Sequence, residues 1–278
     1  MYRCALSDEA LSRLLAEDVP FGDLTTASLG LQNRPGRLEF HARGAMTVCG
    51  VEEAVRLFKL VGADARAIVL SGAVVEDGAM LLTAEGAADA LHRVWKTAQT
   101  LMEWASGIAS GATALVRAAA PVPVACTRKN APGTKALSIK AIQAGGAIVH
   151  RLGLSETLLI FAEHRRFLDE PPNATIARLR TCQPEKKIVV EVSSEDEALT
   201  WARSGVDVLQ LEKFTPAALS ACRTRLEAEE LFPVLVAAGG VRVDNAADYV
   251  AAGAAMIATS APYSAAPRDV QVRFFTVR

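Results

Sequence analysis

Several apolar stretches in the later part of this chain run out into residues that could do chemistry. V-A-C leads to Thr127, Arg128 and Lys129, L-L-I leads to Phe161, and I-V-V-E-V and V-L-Q-L-E carry Glu191 and Glu212. V-L-V-A-A ends at Ala238 before Gly239 and Gly240, and M-I-A-T-S supplies Thr259 and Ser260. His150 and Arg151 stand between a Gly-Gly pair and the next apolar run. An arginine fork suits carboxylate or phosphate oxygens. Paired carboxylates suit ribose hydroxyls or a hard cation such as magnesium. Glycine turns let a backbone come close to a phosphate, and V-D-N-A-A-D at 243–248 reads as a helix start whose free N–H groups favour an anion. Together these groups fit a phosphorylated, hydroxyl-rich substrate.

Each residue also has an ordinary reading. Gly239-Gly240 serves a tight turn, and Glu191 or Glu212 could be half of a structural ion pair. His150 could be a satisfied structural histidine, and Lys129 a surface charge. What favours the functional reading is shared position, because a carboxylate at the end of a buried strand is costly unless it meets a cation, a metal or hydroxyls. Two successive strand ends carry one.

The elements that must position these groups follow from pattern. After Pro123, apolar runs alternate with polar or Gly-rich turns and amphipathic helices, the signature of repeated βα units. Parallel strands of that texture need helices on the outside, which a β/α barrel provides, and barrel active sites lie at the C-terminal strand ends. Upstream, a helix is predicted from Ser7, as N-cap, to about Asp18, stopped by Pro20. A loop over 21–26, a strand over 37–42, a helix over 51–61 and strands over 67–70 and 79–84 follow. A long helix over 87–119 then ends before Pro121 and Pro123. The expected division is an N-terminal α+β domain over 1–119, its end rejoined by the C-terminal tail, and a barrel over 120–278.

Composition excludes other classes. The formal net charge of the 278 residues is −1, without the basic excess of a nucleic-acid binder. Hydrophobic residues make up 51%, yet no apolar run approaches the ~20 residues of a membrane span. The opening residues lack a signal-peptide core, so a cytoplasmic location is expected. Five scattered cysteines form no C-x-x-C pair and read as buried thiols.

The same positions carry a resemblance. T-R-K-N-A-P-G at 127–133, A-G-G-A-I-V-H-R-L-G-L-S-E at 144–156, V-E-V at 190–192, L-E-K-F at 211–214, A-A-G-G-V at 237–241 and E-D-V-P-F-G-D-L-T-T at 17–26 appear in family order. They resemble the nicotinate-nucleotide pyrophosphorylase, or quinolinate phosphoribosyltransferase, family. W-K-T-A-Q-T-L and L-L-I-F-A-E-H are most similar to its ModD-type branch, which is associated with molybdate-transport genes. The resemblance implies an α/β fold in which an incomplete barrel of six or seven strands joins an N-terminal α+β sandwich, working as a dimer. It implies transfer of phosphoribosyl from phosphoribosyl pyrophosphate, with Mg2+, to a ring nitrogen. On that template Thr127, Arg128, Lys129, His150 and Arg151 surround the acceptor and pyrophosphate. Glu191 and Glu212 hold ribose and, through substrate or water, magnesium, with Lys129 and both glutamates as the catalytic set. Ala238, Gly239, Gly240, Thr259 and Ser260 bind the 5′-phosphate.

Departures from the family pattern bear on the acceptor. Where quinolinate enzymes carry K-D-N-H, this chain has Phe161, Ala162, Glu163 and His164, so an aromatic ring replaces an acceptor-facing cation. Lys96 stands for the arginine that reaches the neighbouring subunit, Glu212 for an aspartate and Ser260 for a glycine. An acceptor other than quinolinate is therefore expected. The rivals are a carboxylating enzyme of NAD biosynthesis, a non-catalytic nucleotide or oxyanion binder, and a Schiff-base aldolase using Lys129 or Lys213.

Overall fold

The computed structural model describes residues 4–277. The first elements are α1 (Asp8–Asp18), α2 (Leu24–Ser28), β1 (Pro35–Arg43), β2 (Met46–Thr47), α3 (Val51–Leu60), β3 (Asp64–Ala67), β4 (Val74–Val75), β5 (Met80–Ala87) and α4 (Ala88–Ala119). Next come β6 (Val124–Cys126), α5 (Lys135–Ala144), β7 (Ile148–Val149), β8 (Leu158–Ile160), α6 (Ala162–Arg165), α7 (Pro172–Cys182) and β9 (Ile188–Val192). Then follow α8 (Glu195–Arg203), β10 (Val208–Glu212), α9 (Pro216–Ala228), β11 (Val234–Ala238), α10 (Ala246–Ala251), β12 (Met256–Thr259) and β13 (Asp269–Thr276). No helix among the described residues is long and apolar enough to cross a membrane.

The chain divides into two compact units. One takes in the described residues of Met1–Thr113, Asn130–Gly146 and Pro262–Arg278, and the other Ala114–Lys129 with Ala147–Ala261.

In the first unit an antiparallel sheet has the order β13-β1-β5-β3. Alternation along β1 buries Leu38, Phe40 and Ala42, and Phe40 meets Phe58 of α3 edge-on at 5.9 Å between centroids. Ser7 caps α1 by accepting from the Ala10 N–H at 3.2 Å. The stretch at 21–26, expected as a loop, contains the start of α2, because the Asp23 carboxylate accepts from the Thr26 N–H at 3.0 Å and caps a short helix. The strand expected over 67–70 lies earlier, at β3. There Ala65 points inward, whereas Ile68 and Leu70 are exposed.

This unit also buries a charge cluster. Lys140 of α5 donates to Glu52 at 2.8 Å and to Glu53 at 2.6 Å, and the Ser71 N–H donates to Glu52 at 3.0 Å. Glu53 is fully buried and its second oxygen accepts from the Ala5 N–H at 2.6 Å. With the Ser71 hydroxyl, which also donates to Glu52, five hydrogen bonds thus converge on two carboxylates that could not otherwise leave water.

The second unit is a seven-stranded parallel sheet in the order β7-β6-β12-β11-β10-β9-β8. Cα partners pair Leu159 with Val189, Val189 with Val208 and Val236 with Met256. Side chains alternate with period two, so these positions share one face. That face holds the cluster of Leu159, Val189, Val208, Val236, Ala238 and Ala258, with Phe161 and Met256 against it. Two residues further along β9, β10 and β8, the same face presents Glu191, Gln210 and Phe161. The barrel is therefore apolar below and polar at its C-terminal mouth. It is incomplete, because β7 and β8 are both edges, but Arg151 after β7 lies 5.5 Å from the centroid of the Phe161 ring after β8. A cation–π contact spans the seam that no ladder closes.

Candidate active site

The strand ends of the second unit enclose a cavity of about 490 Å³. Its cationic wall comes from β6 and β7, as Thr127, Arg128, Lys129, His150 and Arg151. Glu191 and Glu212 form the opposite wall with Glu163. Ala238, Gly239, Gly240, Thr259 and Ser260 close the third side. Every residue that sequence reasoning nominated for phosphoribosyl transfer is here except Lys96. That residue lies on α4 in the other unit, donating to Gln99 at 3.0 Å with its ammonium 4.2 Å from the Trp95 ring centroid.

Two walls of opposite charge face a common space. Among the described residues, Arg128, Lys129, Arg151, Glu163, Glu191 and Glu212 form no ion pair within 4.0 Å. Arg151 is only 7% exposed. Burial, and then the nearby Arg128 charge, pull its pKa down from 12.5. On the other wall burial, and then the Glu212 charge, push Glu191 above 4.5, with Glu163 adding to the push. Charges that repel their neighbours and lack ion-pair partners are arranged for a ligand with an anionic end and a cationic or hydroxyl-bearing middle. Burial, and then Arg151, depress His150 below 6.5, so near neutral pH it is a neutral hydrogen-bonding group and not a fourth cation.

The glycine turn shapes the carboxylate side. Gly239 has φ +79°, and a Cβ there would sit 2.7 Å from a Glu212 carboxylate oxygen and 2.8 Å from Lys213 Cγ. The turn beyond it leads into the helix start expected at 243–248: α10 begins at Ala246, with Asn245 as its N-cap. Asn245 holds the intervening loop, accepting from the Arg242 N–H at 2.7 Å and donating to the Gly240 carbonyl at 3.1 Å. The Asn245 side chain thus braces the turn and leaves the first N–H groups of α10 without a side-chain cap. Thr259 is buried, and its hydroxyl donates to the Val241 carbonyl at 3.0 Å and accepts from the Ala261 N–H at 3.1 Å. It buttresses the turn.

Phe161 is held as a wall. Its ring stacks on His164 at 5.7 Å with a 19° interplanar angle, and its N–H donates to His164 Nδ1 at 3.0 Å. Sequence reasoning missed Gln210, whose amide donates to Glu191 at 2.6 Å. A signal existed, since Gln210 lies two residues before Glu212 in an otherwise apolar strand and must share its face. The aldolase alternative loses support because Lys129 is exposed and Lys213 is exposed off the cavity, whereas a Schiff-base lysine is commonly desolvated in an apolar pocket.

Family models for the quinolinate phosphoribosyl transferase N-terminal and C-terminal domains match residues 23–106 and 108–273. The chain belongs to the quinolinate phosphoribosyl transferase family. It is thus an enzyme of the phosphoribosyltransferase class. A relative from Rhodobacter capsulatus, bearing the name pyrophosphorylase ModD, is 53% identical over 87% of this chain and 95% of its own length. A namesake in Pasteurella multocida is 37% identical over 96% of each chain. A carboxylating nicotinate-nucleotide pyrophosphorylase of Synechocystis is 29% identical over 94% of this chain and 89% of its own. The family fold is that of solved structures such as the nicotinate-nucleotide pyrophosphorylase from Francisella tularensis. That structure has a TM-score of 0.88 at 19% identity, covering 96% of this chain and 95% of the other.

Proposed function

We propose that this chain transfers the phosphoribosyl group of phosphoribosyl pyrophosphate to a nitrogen of an acidic or aromatic acceptor other than quinolinate. One observation carries the acceptor reading: the Phe161 ring, fixed by His164 and Arg151, stands where the family resemblance places a cation. A dicarboxylate there would leave one charge buried and unpaired, at a cost of about 2–5 kcal/mol. Arg128 and Arg151 still provide for one acidic group. The ModD-named relatives, and the association of that branch with molybdate transport, support a role in molybdenum utilisation. Cytoplasmic action as a homodimer, with Lys96 of each copy reaching the other's barrel, belongs to the same proposal.

Displacement at the anomeric carbon breaks the bond to pyrophosphate, forms the bond to the acceptor nitrogen and builds positive charge on the ribose. Arg128, Lys129 and Arg151 stabilise the departing anion, and Glu191 and Glu212 orient the sugar and offset its charge. Among the described residues no cluster of three or more His, Cys, Asp or Glu is placed to hold a metal. The mutually repelling Glu191 and Glu212 fit a magnesium ion that arrives with the donor, since that ion is commonly bound by one or two carboxylates plus substrate phosphates. When bound, magnesium neutralises charge on the leaving group. Gly240 and Ser260 receive the 5′-phosphate beside the turn that Thr259 supports.

Pyrophosphate release from phosphoribosyl pyrophosphate and magnesium, measured across a panel of nitrogen heterocycles, tests the reading. Turnover is expected with a monoacidic or neutral ring, and steady conversion of quinolinate to nicotinate mononucleotide would refute the changed acceptor. Phe161→Lys is expected to improve quinolinate binding at least about thirtyfold, the lower end of that electrostatic cost. Gly239→Ala introduces a Cβ at positive φ against Glu212. It is expected to raise the donor KM about tenfold or more, with a stability loss of roughly 1 kcal/mol, read from initial rates and a thermal melt.

A further inference from the structure

We infer that Gln210 selects the acceptor by taking a hydrogen bond from an N–H or amino group on its ring; this rests on the phosphoribosyl-transfer reading above. Gln210 is 7% exposed and lines the cavity. Its β10 register pairs it with Glu191 on one side and Val236 on the other, directly above Val208 in the apolar floor. An amide at that level is costly unless its polar atoms are used.

Only one of them is used within the protein. The Glu191 carboxylate accepts from Gln210 Nε2 at 2.6 Å, and among the described residues no other hydrogen bond to this side chain exists. An ionised carboxylate cannot donate, so the amide orientation is determined chemically: nitrogen toward Glu191, carbonyl oxygen away from it. That oxygen is not sealed in, since the buried unpartnered side-chain atoms are Arg37 Nε and Arg223 Nε. It is an acceptor without a donor, fixed at the base of a cavity whose other acceptor-side groups are Arg128, Arg151 and the Phe161 face.

The chemistry such a trio reads is a flat ring with an acidic group toward the arginines and a hydrogen-bond donor toward Gln210. A second carboxylate at that edge would meet the carbonyl oxygen and the neighbouring Glu191, both repulsive. Gln210 therefore discriminates in the same direction as Phe161, from a different strand.

Calorimetric titration of the full chain with nicotinate and with its isomeric amino derivatives tests the inference. Magnesium-loaded phosphoribosyl pyrophosphate is titrated separately. At least one aminonicotinate is expected to bind about tenfold tighter than nicotinate, and Gln210→Met should reduce that ratio to about one. Gln210→Asn keeps an amide but withdraws it by one methylene, and must lose the preference too. A residue that merely steadied Glu191 would leave the ratio intact in both variants. The inference is overturned if no isomer binds tighter than nicotinate, including no binding at all, or if the preference survives substitution. Failure of the donor to bind the unmodified protein would instead sink the transfer reading, and this inference with it.

Discussion

Glu191→Gln should lower kcat/KM by about a hundredfold or more while leaving the thermal midpoint unchanged or higher. The carboxylate is asked to offset charge that develops on the ribose, and removing one preorganised electrostatic group of that kind costs on the order of 10²–10³ in rate. The fold should not suffer, because the new side chain has the same shape and its carbonyl can still accept from Gln210. The sign of the stability effect follows from the raised Glu191 pKa. Its contribution to stability is fully present below its ordinary value of 4.5 and is lost as pH rises through the higher folded value, so near pH 7 the charge is a burden. In the unmodified enzyme the acid limb of kcat/KM should lie above 4.5, and the variant should lose it. An unchanged rate, or a collapse of the midpoint, would contradict these roles.

Lys140→Met is expected to have the largest effect on stability, about 3–5 kcal/mol, because it leaves Glu52 and the fully buried Glu53 without their cation. For a chain of this size that is roughly a 10 °C fall in Tm. Adding Glu52→Gln and Glu53→Gln should recover much of the loss, since the penalty belongs to the orphaned carboxylates. The pH dependence has a definite sign. Burial raises the Glu52 pKa, but bonds from Lys140 and Ser71 outweigh it and hold the carboxyl below 4.5. Its stabilisation is present above the unfolded value and is lost as pH falls through the folded one. Chemical denaturation between pH 3 and 7 should show that acid-sensitive component in the unmodified protein and its absence in Lys140→Met. Equal denaturation midpoints across that series would show that the cluster contributes nothing.

The parts of this molecule that could be read from sequence are those governed by short-range periodicity. Apolar runs separated by helices make the barrel legible, and the barrel rule then places Arg128, Glu191, Glu212 and Gly239 on one rim. Gln210 escaped because one polar residue inside an apolar strand reads as noise until its face is known. The start of α10 is legible in D-N-A-A, but the use of the Asn245 side chain on Arg242 and Gly240 is not. The Lys140 cluster was invisible for another reason: its members come from α3 and α5, far apart in sequence, and no local pattern brings them together. The β13 strand pairs with β1 across most of the chain length, so its own alternation could mark it as a strand but not name its partner.

The central claim is that distant charges and glycines converge to hold a phosphoribosyl pyrophosphate. Isothermal titration of that compound with magnesium measures this directly. The account predicts saturable binding at one site per chain, weakened at least about tenfold in Glu212→Ala and in Gly239→Ala alike. Absence of binding to the unmodified protein, or variants that bind as tightly as it does, would contradict it.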